Sequence, residues 1–66
     1  MLANPKKGQL VRIRYNQRIA PAMPLHNKVG TVHIVSRGKP RNHGVIVDGL
    51  LYAIPCGNLN KEDALP

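Results

Sequence analysis

An Asp-Gly pair at residues 48–49 stands between two apolar runs, VIV before it and LLYAI after it. A two-residue hairpin turn of type I′ needs positive φ at both central residues, and Asp-Gly tolerates that conformation. The pair therefore predicts a β-hairpin in which Val47 faces Leu50. Two positions farther from the turn, Val45 faces Tyr52. The predicted core face of this hairpin comprises Val45, Val47, Leu50, Tyr52 and Ile54.

Residues 9–15, QLVRIRY, alternate between apolar and basic side chains with a period of two. Such alternation indicates a strand with one buried face and one face toward water. Val11, Ile13 and Tyr15 form the predicted inner face. Arg12 and Arg14 lie on the opposite, basic face.

Residues 29–35, VGTVHIV, are rich in β-branched side chains and predict a second strand. Both faces carry apolar groups, and we expect Val32 and Ile34 to point inward. Gly30 within this run indicates a bulge, a sharp bend or a close approach of another backbone. Each of these occurs where a sheet curls into a small barrel.

The remaining segments complete an all-β prediction. Residues 16–28 carry Pro21 and Pro24 and no sustained period, so they predict a long loop. Residues 55–59 interrupt the strand pattern and predict a short turn or 3-10 helix before a last strand. Several short strands in 66 residues favour one domain, residues 1–66, folded as a five-stranded SH3-like small barrel.

Size and cysteine content limit how such a domain is stabilised. A single core of this size rarely supplies more than ~3 to 5 kcal/mol. Cys56 is the only cysteine, so no disulfide within one chain can add to it. We therefore expect packing, strand pairing or a larger assembly to stabilise the fold. The sequence also contains neither a signal-peptide pattern nor a membrane-spanning run, and we expect a cytoplasmic protein that does not enter a membrane.

Charge is the least ordinary feature of the composition. Ten Lys and Arg residues stand against three acids, for a formal net charge of +7, and the first acid in the chain is Asp48. A field of one sign favours an anionic partner, namely nucleic acid, an acidic protein surface or anionic lipid. Solubility alone explains charge of either sign, but it does not require the exclusion of acids.

The segment SRGKPRNH, residues 36–43, concentrates this charge in a loop between two apolar strands. Lys and Arg bind nucleic acid mainly by neutralising phosphates, which gives salt-dependent affinity with little sequence preference. Asn42 and His43 are expected to add hydrogen bonds. The predicted binding residues are Arg12, Arg14, Arg18, Lys28, Arg37, Lys39, Arg41, Asn42 and His43.

An adaptor that docks on an acidic protein surface is the alternative function. In that case the long loop should bury Ile19, Met23 and Leu25 against the partner, whereas a phosphate binder needs only the cations of that region. The two tyrosines fall on predicted inner faces, which disfavours base stacking on exposed aromatic side chains. We therefore expect backbone contacts to a duplex or a structured RNA.

The chain carries no recognisable pattern for catalysis. Its histidines and Cys56 lack the short ligand spacing of zinc sites, and no phosphate-binding glycine loop occurs. Paired carboxylates are nearly absent, since Asp48 belongs to a turn and Glu62 with Asp63 to a polar tail. We predict a protein that is not an enzyme and takes no metal, cofactor or small-molecule substrate.

The strand segments KGQLVRIR, residues 7–14, and KVGTVHIV, residues 28–35, resemble the opening strands of KOW-type SH3-like barrels. That resemblance implies RNA, ribosomes or transcription complexes as partners. The segments VRI, GTV and YAIPCGNLNKED also resemble the PsaE family of photosystem I subunits and small SH3-like proteins of tailed phages. This second resemblance implies an adaptor on a larger complex, including a virion.

Overall fold

Five short strands and two 3-10 helices make up the part of the chain, residues 1–62, that the computed structural model describes. The strands are β1 (Leu10–Ile13), β2 (Val29–Ile34), β3 (Asn42–Val47), β4 (Leu50–Pro55) and β5 (Leu59–Lys61). The 3-10 helices are Ala20–Ala22 in the loop after β1 and Cys56–Asn58 before β5. The predicted all-β class, five strands and helical turn before the last strand are thus confirmed. None of the helices in residues 1–62 has the length and apolar character to cross a bilayer.

All strand pairs are antiparallel and form one sheet in the order β4-β3-β2-β1-β5. Neighbours in the sheet are also neighbours in the chain, except that the last strand pairs with the first. Within residues 1–62 the two outer strands, β4 and β5, are not hydrogen-bonded to each other. The sheet is therefore open at this seam.

The hairpin at residues 48–49 has the predicted geometry. Asp48 and Gly49 adopt φ of 50° and 83°, as a type I′ turn requires. Val47 faces Leu50, and the register continues along the whole length of β3 and β4. One expectation is wrong: the Leu50 residue is 60% exposed. Val47, directly opposite Leu50, is buried, so only the β3 member of this pair reaches the core.

The core lies on one face of the sheet, and within residues 1–62 its buried apolar side chains are Val, Ile and Leu, joined by one buried histidine. Burying aliphatic side chains is the main source of stability in so small a fold. Tyr15, Leu25 and Tyr52 pack against its edge. The buried apolar residues are Val11, Ile13, Val32, Val45, Val47, Ile54 and Leu59.

Two features of β2 explain how it bends. A Cβ on Gly30 would lie 2.6 Å from Val45 Cγ1 and 2.7 Å from the carbonyl oxygen of Ile46, so the glycine permits a close approach of β3. The register with β3 shifts between Val32 and Ile34, which indicates a bulge or similar irregularity. Because the shift reverses the alternation of faces, the expectation that Ile34 points inward is wrong: it is 50% exposed.

Candidate basic binding surface

The loop between β2 and β3, which we call the basic loop, presents its first two cations to solvent. Arg37 and Lys39 are exposed. Arg41, at the end of the loop, is half-buried and donates a hydrogen bond from Nη1 to Asn4 Oδ1 at 2.8 Å. The same nitrogen lies 3.5 Å from the carbonyl oxygen of Ala3. Arg41 therefore holds the N-terminal segment as well as contributing charge.

His43 lies inside the protein, which corrects the expectation that it adds hydrogen bonds at the surface. Its side chain is fully buried on the inner face of β3. The backbone N–H of Ser36 donates to His43 Nδ1 at 3.0 Å. On the other side of the ring, His43 Nε2 lies 3.2 Å from the carbonyl oxygen of Ala3. The imidazole thus ties the base of the basic loop to the N-terminal segment.

Arg12 on β1 is already engaged with a carboxylate. Its Nε and Nη2 donate to the two oxygens of Glu62 at 3.0 and 2.9 Å, and its Nη1 donates to the Asn27 carbonyl oxygen at 2.8 Å. These hydrogen bonds hold the pKa of Glu62 below its ordinary value, with charge attraction adding to the effect. Glu62, expected in a solvated tail, instead fixes Arg12 in a bidentate pair.

An open groove of about 510 Å³ lies beside this pair and is lined by residues of β1 and β5 and of the segments that follow them. Asn60 of β5 lies directly opposite Arg12 of β1. Arg14 and Lys61 both line the groove and are exposed, and neither has a carboxylate partner within residues 1–62. The groove is lined by Arg12, Arg14, Tyr15, Asn60, Lys61 and Glu62.

The other predicted cations are distributed around the sheet. Lys28, just before β2, lies 3.6 Å from Asp48 in an exposed ion pair, so its charge is partly compensated. Arg18 is exposed in the loop after β1. Asn42 is exposed at the first position of β3, next to the basic loop.

The 3-10 helix Cys56–Asn58 connects the basic loop to the groove. At its start, the Cys56 N–H donates to the Arg41 carbonyl oxygen at 2.9 Å. At its end, Asn58 exchanges two hydrogen bonds with the backbone of Arg14, at 2.9 and 3.0 Å. A helix of three residues therefore separates the two groups of cations, which we call the basic surface: Arg14 and Lys61 at the groove, and Arg37, Lys39 and Arg41 at the loop.

The apolar residues expected to dock a protein partner are only partly accessible. Leu25 packs against the core, Met23 is half-buried, and Ile19 alone of the three is exposed. The loop that carries them is ordered from within, since the Tyr15 N–H donates to His26 Nδ1 at 3.0 Å.

Sequence reasoning missed Lys61 and Glu62 as members of the site. The sequence carries no clear signal for them, because their place in the site follows from the pairing of β5 (Leu59–Lys61) with β1, which is distant in the chain. Among residues 1–62 no group of three or more His, Cys, Asp or Glu side chains is placed to hold a metal ion. Cys56 is a half-buried free thiol.

Comparison with protein-family models, curated proteins and solved structures gives no match to this chain. Its function must therefore be inferred from the charges, contacts and exposed surfaces described above.

Proposed function

We propose that this chain is a non-catalytic binding module with an SH3-like barrel fold that binds nucleic acid through phosphate contacts at the basic surface. The order β4-β3-β2-β1-β5, with a 3-10 helix before the last strand, supports the fold. The proposed function is supported by the pairing of the carboxylates, because it leaves the cations of the basic surface without a carboxylate partner in the described residues. Within residues 1–62 both carboxylates, Glu62 and Asp48, are already paired, with Arg12 and Lys28.

The unpaired cations fit an extended polyanion better than a small anion. The molecule measures 34 × 28 × 20 Å, and several phosphates of one strand or duplex cover a length of this size. Tyr15 and Tyr52 are both half-buried, which leaves little aromatic surface for stacking bases. The expected contacts are therefore to phosphate and sugar, on a duplex or a structured RNA.

Fluorescence anisotropy with a labelled DNA duplex and a labelled RNA hairpin, each over a range of salt concentration, tests this function. Replacing Arg37 and Lys39 together by Gln should weaken binding and lower the slope of log affinity against log salt by about 2. The double variant Arg14→Gln/Lys61→Gln tests the groove in the same way. Lys28→Gln is the control, because Lys28 already faces a carboxylate.

Unchanged affinity and slope in both double variants would contradict the proposal. An acidic polypeptide serves as competitor and separates the adaptor alternative, in which the same cations meet an acidic protein. If that polypeptide binds as tightly as nucleic acid of equal charge, the basic surface is selective for charge only. A protein partner is then the better hypothesis.

A further inference from the structure

Strand β4 forms one outer edge of the sheet, and within residues 1–62 no backbone hydrogen bond is made to its outer side. Exposed edges usually carry charged side chains or prolines that prevent pairing with another chain. The six residues of β4, LLYAIP, include no charged side chain, and the only proline ends the strand. Leu51 is 53% exposed and Ala53 is exposed beside it. This edge is therefore open to pairing.

The hairpin register determines which backbone groups of β4 are free. In a two-residue hairpin the residues that flank the turn exchange hydrogen bonds, and such pairs recur at every second position. Leu50, Tyr52 and Ile54 accordingly bond to β3, and the Cys56 N–H continues the series by donating to Arg41. The N–H and C=O groups of Leu51 and Ala53 point away from β3, toward the open edge.

We propose that this edge pairs with the β4 edge of a second copy, antiparallel and centred on Tyr52, to form a homodimer. In this register Leu51 of each copy faces Ala53 of the other, and each pair exchanges two hydrogen bonds. Shifting the strands by two residues in one direction would place Pro55, which has no N–H, opposite Leu51. The two-fold axis through Tyr52 thus satisfies every free group of the strand interior.

Charge favours a second copy in this orientation. Asp48, at one end of β4, forms an exposed ion pair with Lys28 at 3.6 Å, so the charges at this end are balanced. The other end of β4 lies beside the loop that carries Arg37 and Lys39, since Pro55 pairs with Asn42. Antiparallel pairing places the cationic end of each copy beside the charge-balanced end of the other, so the two basic loops lie at opposite ends of the contact. Between these ends β4 has no charged side chain, so none of the cations that give each chain its net charge of +7 lies on the strand that pairs.

Sedimentation equilibrium of the purified full chain, under reducing conditions that exclude a Cys56 disulfide, tests the association state. At physiological salt, which screens repulsion between exposed charges, we expect a monomer–dimer equilibrium. Hydrogen exchange tests the register: the Leu51 and Ala53 amides should gain protection as protein concentration rises. The Leu50 and Tyr52 amides, bonded to β3, should be protected at every concentration.

Two variants test the contact itself. Ala53→Pro removes an N–H that makes no backbone hydrogen bond within residues 1–62, and losing it from both copies should raise the dimer dissociation constant about tenfold or more. Leu51→Lys places like charges across the two-fold axis and should have the same effect. Val29→Lys is the matched control, because it adds the same charge at an exposed aliphatic residue on β2.

A chain that stays monomeric up to millimolar concentration would overturn the proposal, and that result would instead point to a segment of another protein as the occupant of the edge. Growth in mass beyond the dimer would also overturn it, since isologous pairing closes after two copies. So would a dimer in which the Leu51 and Ala53 amides stay unprotected. The exchange measurement uses the unmodified chain, so it decides the question even if Ala53→Pro fails to fold.

Discussion

The β3–β4 hairpin and the basic loop that precedes it are neighbours in the chain, yet different forces fix their structures. The hairpin is uncharged apart from its turn, and two residues, Asp48 and Gly49, set the register of the whole ladder. The basic loop is held by groups far from it in sequence: Ala3 and Asn4 contact Arg41, and Ala3 also contacts His43. Local turn chemistry decides the first region and long-range contacts the second.

The two proposed contacts therefore lie on regions that differ in stability: the dimer contact on the hairpin, and nucleic-acid binding partly on the basic loop. A hairpin closed by its own turn keeps its edge geometry even when distant parts of the chain loosen. The basic loop depends on the N-terminal segment, and any change that releases that segment should also move Arg37 and Lys39. Nucleic-acid binding is therefore the more fragile of the two proposed properties.

Replacing His43 by Leu should have the largest effect, because it removes the side chain that ties the basic loop down. The half-buried Ser36 N–H loses its acceptor and the contact of the buried ring with the Ala3 carbonyl oxygen is lost, and we expect a loss of about 2 kcal/mol in the free energy of unfolding. Urea denaturation measures this loss. His26→Leu is the control, since His26 also accepts a backbone N–H but is only half-buried. Equal losses in the two variants would show that burial of His43 adds nothing.

Gly49→Ala tests whether the turn at residues 48–49 stabilises the hairpin. At a φ of 83° an added Cβ is strained although no atom lies within 4 Å of it, and we expect a cost of about 1 to 2 kcal/mol. Thermal unfolding measures the cost. Gly57→Ala is the matched control, because Gly57 has equal space and no positive φ, and its effect should be small. If both variants lose the same stability, backbone strain at the turn is not the cause.

Glu62→Gln should have the smallest effect, because the ion pair with Arg12 is partly exposed and such pairs contribute little. The pKa of Glu62 is lowered in the folded chain, so its contribution is present at neutral pH and is lost as pH falls through the folded pKa. The difference in melting temperature between the variant and the unmodified chain should therefore shrink below about pH 4.3. A difference that is constant with pH would contradict the role of the ionised carboxylate.

The elements that a sequence predicts well here are those that depend on nearby residues. The Asp-Gly turn predicts the register of β3 and β4, and the alternation around Val11 and Ile13 predicts the buried face of β1. Ile34 was assigned to the wrong face because the register shift in β2 comes from its pairing with β3, which the residues of β2 alone do not reveal. Tertiary context decided that position.

The candidate site shows the same division. Exposure of Arg37 and Lys39 follows from a loop rich in glycine and proline. The pairing of Arg12 with Glu62 and the burial of His43 do not follow, because their partners lie 50 and 40 residues away in the chain. Charge counted along a sequence therefore overstates the number of cations that are free in the fold.

The pairing of β5 with β1 has a consequence for how this chain folds. Every other ladder joins strands that are adjacent in sequence, whereas this one closes a loop of nearly the whole described chain. Loop closure costs more entropy as the loop lengthens, and contacts distant in sequence slow the search for the native state. We expect the β3–β4 hairpin to nucleate early and the β1–β5 ladder to form last, so the groove between Arg14 and Lys61 comes into being only in the final step of folding.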